Sequence, residues 1–158
     1  GGAAHGIRPF GVEAQRVLRL EKGHIIIGQD TDAMTHPHEV DMAWAIAKKK
    51  PFFIGGRSIE LRLRQPVTRK LVGFTFEGVS GEMPGESNLV LRGGAVAGFV
   101  TSVAHSPSLE KVIGLAYAHP EDTAPGTHLG IKLDNGRIRD ATVVPLPFYD
   151  PDNRRQEM

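Results

Sequence analysis

Past Pro66 the chain breaks into six short runs rich in Val, Leu and Ile: KLVGFTFEG (70–78), ESNLVLRGG (86–94), AVAGFVTSVA (95–104), KVIGLAYA (111–118), HLGIKLDNG (128–136) and RIRDATVVP (137–145). Gly, Pro or Asn punctuates them, and that spacing restricts the chain to short strands. Asn135-Gly136, between two alternating runs, is the strongest hairpin signal, because two-residue hairpin turns favour residues that tolerate positive φ. Six strands at near-regular spacing predict a small antiparallel barrel or sandwich. Its expected core includes Leu71, Phe74, Val100, Ile113, Leu115 and Val143.

Upstream of Pro66 the pattern differs. Residues 9–23, PFGVEAQRVLRLEKG, predict a helix with Pro in its first turn and Gly23 as the stop. At 100° per residue, Phe10, Ala14, Val17 and Leu18 form one apolar stripe, with Arg16 and Arg19 pointing away and Glu21 in its midst. A second helix is expected over GGRSIELRLRQ (55–65), capped by Ser58 and closed by Pro66, after the apolar segment 51–54. Between the helices, Asp30, Asp32, Thr35 and Pro37 favour turns and residues 42–46 a strand. The chain therefore reads as α+β: an N-terminal α/β part over residues 1–66, then an antiparallel six-stranded β-barrel over 67–158.

At 158 residues a folded chain buries about 68–70% of the surface its unfolded form exposes, enough for one domain or two small ones. The absence of Cys excludes disulfides, thiolate metal sites and thiol nucleophiles, and fits a reducing, cytoplasmic setting. The longest aliphatic run, Ile25 to Ile27, is far short of the ~20 apolar residues a spanning helix needs, so no membrane partner is expected. Residues 1–70 carry a formal charge of +5 and residues 71–158 one of −4. That imbalance is too small for a duplex-binding surface, and no nucleic-acid partner is expected.

No nucleophile elbow, phosphate loop, dinucleotide fingerprint or spaced metal-ligand set is present, so no catalytic residue and no metal is assigned. Gly55-Gly56 and Gly93-Gly94 read as turn glycines, and His36 and His38, flanking Pro37, as a solvated turn. The runs Lys48-Lys49-Lys50 and Asn153-Arg154-Arg155 read as solvated charge. Glu21 stands apart: a carboxylate on an apolar stripe must be exposed at the helix end, paired, or used to hold a ligand.

Several separated motifs carry a further signal: residues 13–32 (EAQRVLRLEKGHIIIGQDTD), 35–46 (THPHEVDMAWAI), 51–58 (PFFIGGRS), 69–74 (RKLVGF), 98–117 (GFVTSVAHSPSLEKVIGLAY), 125–133 (PGTHLGIKL) and 143–151 (VVPLPFYDP). In this order they resemble the aminomethyltransferase family of folate-binding proteins, which includes the T-protein of the glycine cleavage system. The opening over 5–24 and the PFYDP ending at 147–151 resemble in particular the C-terminal region of sarcosine oxidase alpha subunits. Where a related iron–sulfur maintenance branch has Lys-Gly-Cys-Tyr, this chain has Lys22-Gly23-His24-Ile25. That disfavours the branch. The chain also has Thr35-His36-Pro37 where many relatives read Thr-Thr-Pro, and Ala33-Met34 where a charged pair often follows.

The resemblance implies a fragment, without the longer N-terminal portion that carries the family's catalytic Asp. Residues 1–66 would close the middle folate-binding region and 67–158 would form the C-terminal barrel. Glu21 matches the Glu that binds the pterin edge, and Arg154 or Arg155 the basic residue placed near the folate. Tetrahydrofolate is the implied cofactor, with flavins and NAD held elsewhere in the parent complex. The implied partners are reduced folate, the remaining alpha-subunit domains and the other sarcosine oxidase subunits. In such a complex the chain helps position tetrahydrofolate to capture the one-carbon unit of oxidised sarcosine, and alone it is expected to be inactive. The alternatives are a fragment of a glycine cleavage aminomethyltransferase and a non-catalytic assembly module.

Overall fold

The computed structural model describes residues 1–76 and 82–157. The last two residues of the first expected strand, Glu77 and Gly78, lie outside the described residues. All six expected strands form: β1 (Lys70–Phe76), β2 (Leu89–Arg92), β3 (Ala95–Ser106), β4 (Lys111–Ala118), β5 (His128–Lys132) and β6 (Ile138–Val144). They close into an antiparallel barrel in the order β1-β4-β3-β2-β5-β6, and β6 returns to pair with β1 through Gly73–Val144, Phe74–Val143 and Thr75–Thr142. The expected hairpin joins β5 and β6 at Asn135-Gly136. Gly136 has φ +83°, and the Asn135 side chain accepts the Arg137 N–H at 3.0 Å. Gly93 and Gly94, both at positive φ, turn β2 into β3.

Period-two alternation sorts β4 between two cores. Val112, Ala116 and Ala118 face the barrel interior with Phe74, Val100, Ile131 and Val143. Ile113 and Leu115 face outward into a second cluster with Leu20, where the half-buried Leu71, Ile25, Leu109 and Phe148 also pack. The expected core residues thus divide between the inside of the barrel and the layer beneath the helix α1 (Val12–Glu21). Burying a side chain such as Leu20 in that layer contributes about 1.5–3 kcal/mol.

Three local expectations are corrected. The predicted stripe of α1 does not dock: Phe10 is 72% and Leu18 58% exposed, and only Val17 of the four is half-buried. Leu20 and Glu21 are buried instead, and Arg19 turns inward because Asp30 and Ser102 accept its guanidinium. The helix α2 (Gly56–Leu63) starts before Ser58, with Gly55 at φ +90° as its N-cap, so Ser58 caps nothing. Residues 42–46 hold one 3-10 turn, Ala43–Ala45, rather than a strand. There the apolar residues line a groove with Ile25 and Val40, and Trp44 is left in solvent.

Candidate functional site

Glu21 ends α1 and is only 3% exposed. Ser106, at the end of β3, donates its hydroxyl to Glu21 Oε1 at 2.5 Å, and the same oxygen of Ser106 accepts the Leu109 N–H at 3.1 Å. Among the described residues no hydrogen bond reaches Oε2. Oxygens of a buried carboxylate need donors, and this one lines a cleft of about 430 Å³ together with Leu18, Lys22, Ser108, Tyr149, Asp150 and Arg155. The Tyr149 N–H donates to the Glu21 carbonyl at 2.9 Å, so the chain after β6 is stitched to the end of α1.

Of the two tail arginines, Arg155 lines the cleft, its guanidinium 5.8 Å from the centre of the Tyr149 ring. Arg154 points elsewhere and meets the exposed Asp152 at 3.1 Å. Sequence reasoning had no separate reason to select Lys22, Tyr149 or Asp150. Their only signal lies in the motifs that carry the resemblance, the 13–32 run for Lys22 and the PFYDP ending for Tyr149 and Asp150.

What holds α1 over the barrel is a second polar cluster around Asp30. Its Oδ2 accepts Arg19 Nη1 at 2.6 Å and the Ile26 N–H at 2.8 Å. Its Oδ1 accepts the hydroxyls of Thr101 at 2.6 Å and Ser102 at 2.5 Å. Consecutive strand residues ordinarily point to opposite faces, but β3 pairs Val100 with Ala116 and Ser102 with Leu115, leaving Thr101 as an extra residue. This bulge brings both hydroxyls to one oxygen.

A third cluster lies on the loop before α2. The buried Glu39 accepts Arg69 Nε at 2.9 Å and faces Arg62 at 3.7 Å. Arg69 also covers the Tyr117 ring at 4.3 Å. Burial pushes the Tyr117 hydroxyl's pKa up, and that hydroxyl donates to the Asp30 carbonyl at 2.9 Å. His36 and His38 are not a solvated turn. Both are half-buried, their rings stack at 4.8 Å, and their Nδ1 atoms are 3.1 Å apart. Among the described residues no set of three or more His, Asp or Glu is placed to hold a metal ion.

Burial lowers the His36 pKa from its ordinary 6.5; His38 and Arg62 push the same way and Glu39 opposes them. As pH falls through 6.5 the unfolded chain takes its proton before the folded one does, so this part of the stability is complete above about pH 6.5 and lost below it. Denaturation at about pH 7.5 and pH 5.5 should show that loss. His36→Asn, which keeps an N-cap acceptor and removes the titration, should flatten it. An unchanged slope in the variant would assign the loss to other groups.

Two family models match: "Glycine cleavage T-protein C-terminal barrel domain" over residues 69–150 and "GCVT N-terminal domain" over residues 1–50. The chain belongs to the glycine cleavage T-protein family. It is 37% identical over 145 residues to an aminomethyltransferase of Synechococcus sp. (strain CC9311), covering 91% of this chain and 38% of that protein. A trimethylamine-oxide aldolase of Ruegeria pomeroyi is 38% identical over 157 residues, covering 98% of this chain and 20% of that protein. The crystal structure of glycine cleavage system aminomethyltransferase T from Bartonella henselae superposes with a TM-score of 0.82 at 25% identity, over 93% of this chain and 41% of that one. This T-family chain therefore spans about two fifths of the aminomethyltransferases it matches. Among its described residues no helix is long and apolar enough to cross a membrane.

Proposed function

We propose that this chain is the folate-holding C-terminal part of a sarcosine oxidase alpha subunit, acting in the cytoplasm. In this reading residues 1–66 close the middle folate-binding region and 67–158 form the C-terminal barrel. The observation that carries it is Glu21: a buried carboxylate with one oxygen tied to Ser106, on a residue that lines a cleft together with Arg155. A pterin offers a ring N–H and an amino group side by side, and a carboxylate accepts such a pair of hydrogens. Arg155, on the wall of the same cleft, supplies a positive charge suited to an anionic group of the folate. The one-carbon unit comes from an amine oxidised at a flavin held elsewhere, which supplies the redox chemistry. The residues of this chain fix the folate so that its nitrogen meets the incoming carbon, a proximity effect.

The second reading, a fragment of a glycine cleavage aminomethyltransferase, has equal support in the relatives of that name. It uses the same cleft for the same folate and differs in the source of the carbon.

Glu21→Gln tests the folate role. The variant keeps its size but turns one acceptor into a donor facing the pterin N–H groups. A hydrogen bond to a charged group contributes about 1.5–3 kcal/mol, so reduced folate should bind roughly 10- to 150-fold more weakly by calorimetry. In the parent oxidase, amine oxidation should continue while more formaldehyde escapes per turnover. Unchanged affinity in a folded variant would leave Glu21 only its hold on Ser106.

A further inference from the structure

We infer that Asp150 is a positioning residue that sets Arg155 over the cleft, an inference that rests on the folate reading of the Glu21 site. Four contacts converge on it. Its Oδ1 accepts the Arg154 N–H at 2.9 Å and its carboxylate also accepts the Arg155 N–H at 3.3 Å. The Lys22 ammonium, one residue beyond Glu21, donates to the Asp150 carbonyl at 2.5 Å and lies 3.5 Å from its Oδ2. One residue earlier, Tyr149 bonds the Glu21 carbonyl.

The backbone agrees with the side chain. Asp150 has φ +52° and Asn153 φ +58°, a conformation that Asp and Asn tolerate better than most residues because their short polar side chains bond locally. The two left-handed residues turn the chain back on itself after Pro151. The Asp150 carboxylate then holds the following 3-10 turn, Arg154–Gln156, by its first amides, while Lys22 anchors the whole turn to the end of α1. The outcome is that Arg155 lies beside Tyr149 on the wall of the cleft that Glu21 lines. Apart from this turn, the described side-chain contact of Arg155 is its place over the Tyr149 ring. Asp150 does not itself need to touch the ligand; it acts through Arg155.

The experiment combines tail order with a double-mutant cycle in the full chain. Backbone amide NOEs of residues 153–157 should fall in both Asp150→Ala and Asp150→Gly and stay near native in Asp150→Asn, which keeps an acceptor for the Arg154 N–H. If Asp150→Gly retains native order, only the backbone conformation matters and the inference is overturned. Calorimetry with reduced folate should show Asp150→Ala and Arg155→Ala weakening binding to a similar degree, and the double variant no weaker than Arg155→Ala within roughly twofold. Additive losses would mean that Asp150 does not work through Arg155. If the wild-type chain itself binds no reduced folate, the folate reading fails, and the NOE series still decides whether Asp150 holds Arg155 in place. Barrel amide shifts, unchanged in all variants, show that each is folded.

Discussion

Asp30→Ala is expected to cost about 3–5 kcal/mol, the penalty for leaving one member of a buried ion pair unmatched. Asp30 has no solvent exposure, and its carboxylate gathers the Arg19 guanidinium, the Ile26 N–H and two hydroxyls. Truncation takes the carboxylate acceptor from all four donors at once, and the Arg19 Nε is already without an acceptor. Against a typical total stability of about 5–15 kcal/mol, that loss brings the fold close to its limit. Urea denaturation checks it, with an unchanged slope and a much lower midpoint expected. Replacing Arg19 and Asp30 together by apolar residues should recover much of the loss, because the cost lies in the unpaired charge. A single-variant loss under about 1 kcal/mol would mean that water reaches the stranded groups.

Gly98→Ala is the second large effect. A Cβ at Gly98 would lie 1.8 Å from the Tyr117 carbonyl oxygen and 2.6 Å from its carbon. These are backbone atoms of the neighbouring strand, so no side chain can rotate away and β3 must separate from β4. Overpacking typically costs about 1–3 kcal/mol, and a clash with a fixed backbone belongs at the top of that range or beyond. The displacement would also reach the Asp30 cluster through the Tyr117 hydroxyl. Gly130→Ala is the control: its nearest contact is the Cγ2 methyl of Ile138 at 3.2 Å, a side-chain rather than a backbone atom, and its thermal midpoint should move far less. Equal shifts for the two variants would contradict the geometry.

The barrel was legible because alternation, turn glycines and Asn135-Gly136 are local signals, and local and global preferences agree there. Glu21 was legible as an anomaly, a carboxylate where the helical pattern called for an apolar residue. The face of α1 was misread because the pattern weighs hydrophobicity alone. In the structure the pairing of Arg19 with Asp30 sets the rotation of the helix and leaves Phe10 and Leu18 outside. The role of Asp30 was not legible at all. Its hydroxyl partners are more than 70 residues away, and they converge only because a bulge breaks the period on which strand reading depends. Residues 42–46 failed for the complementary reason, since a short apolar run fits a strand and a groove-lining turn equally well.

Closure of β6 onto β1 has a consequence for where such a unit can live. An open sheet ends in rows of unpaired N–H and C=O groups that invite other chains, and a closed barrel has none. A unit of this kind can be carried as a part of very different polypeptides without pairing with the wrong neighbour. The same stretch in fact occupies two fifths of the aminomethyltransferases and one fifth of the aldolase. The apolar side chains of Ile7, Phe10, Val12 and Leu18, which stand in solvent before and along α1, lie outside those sealed strands.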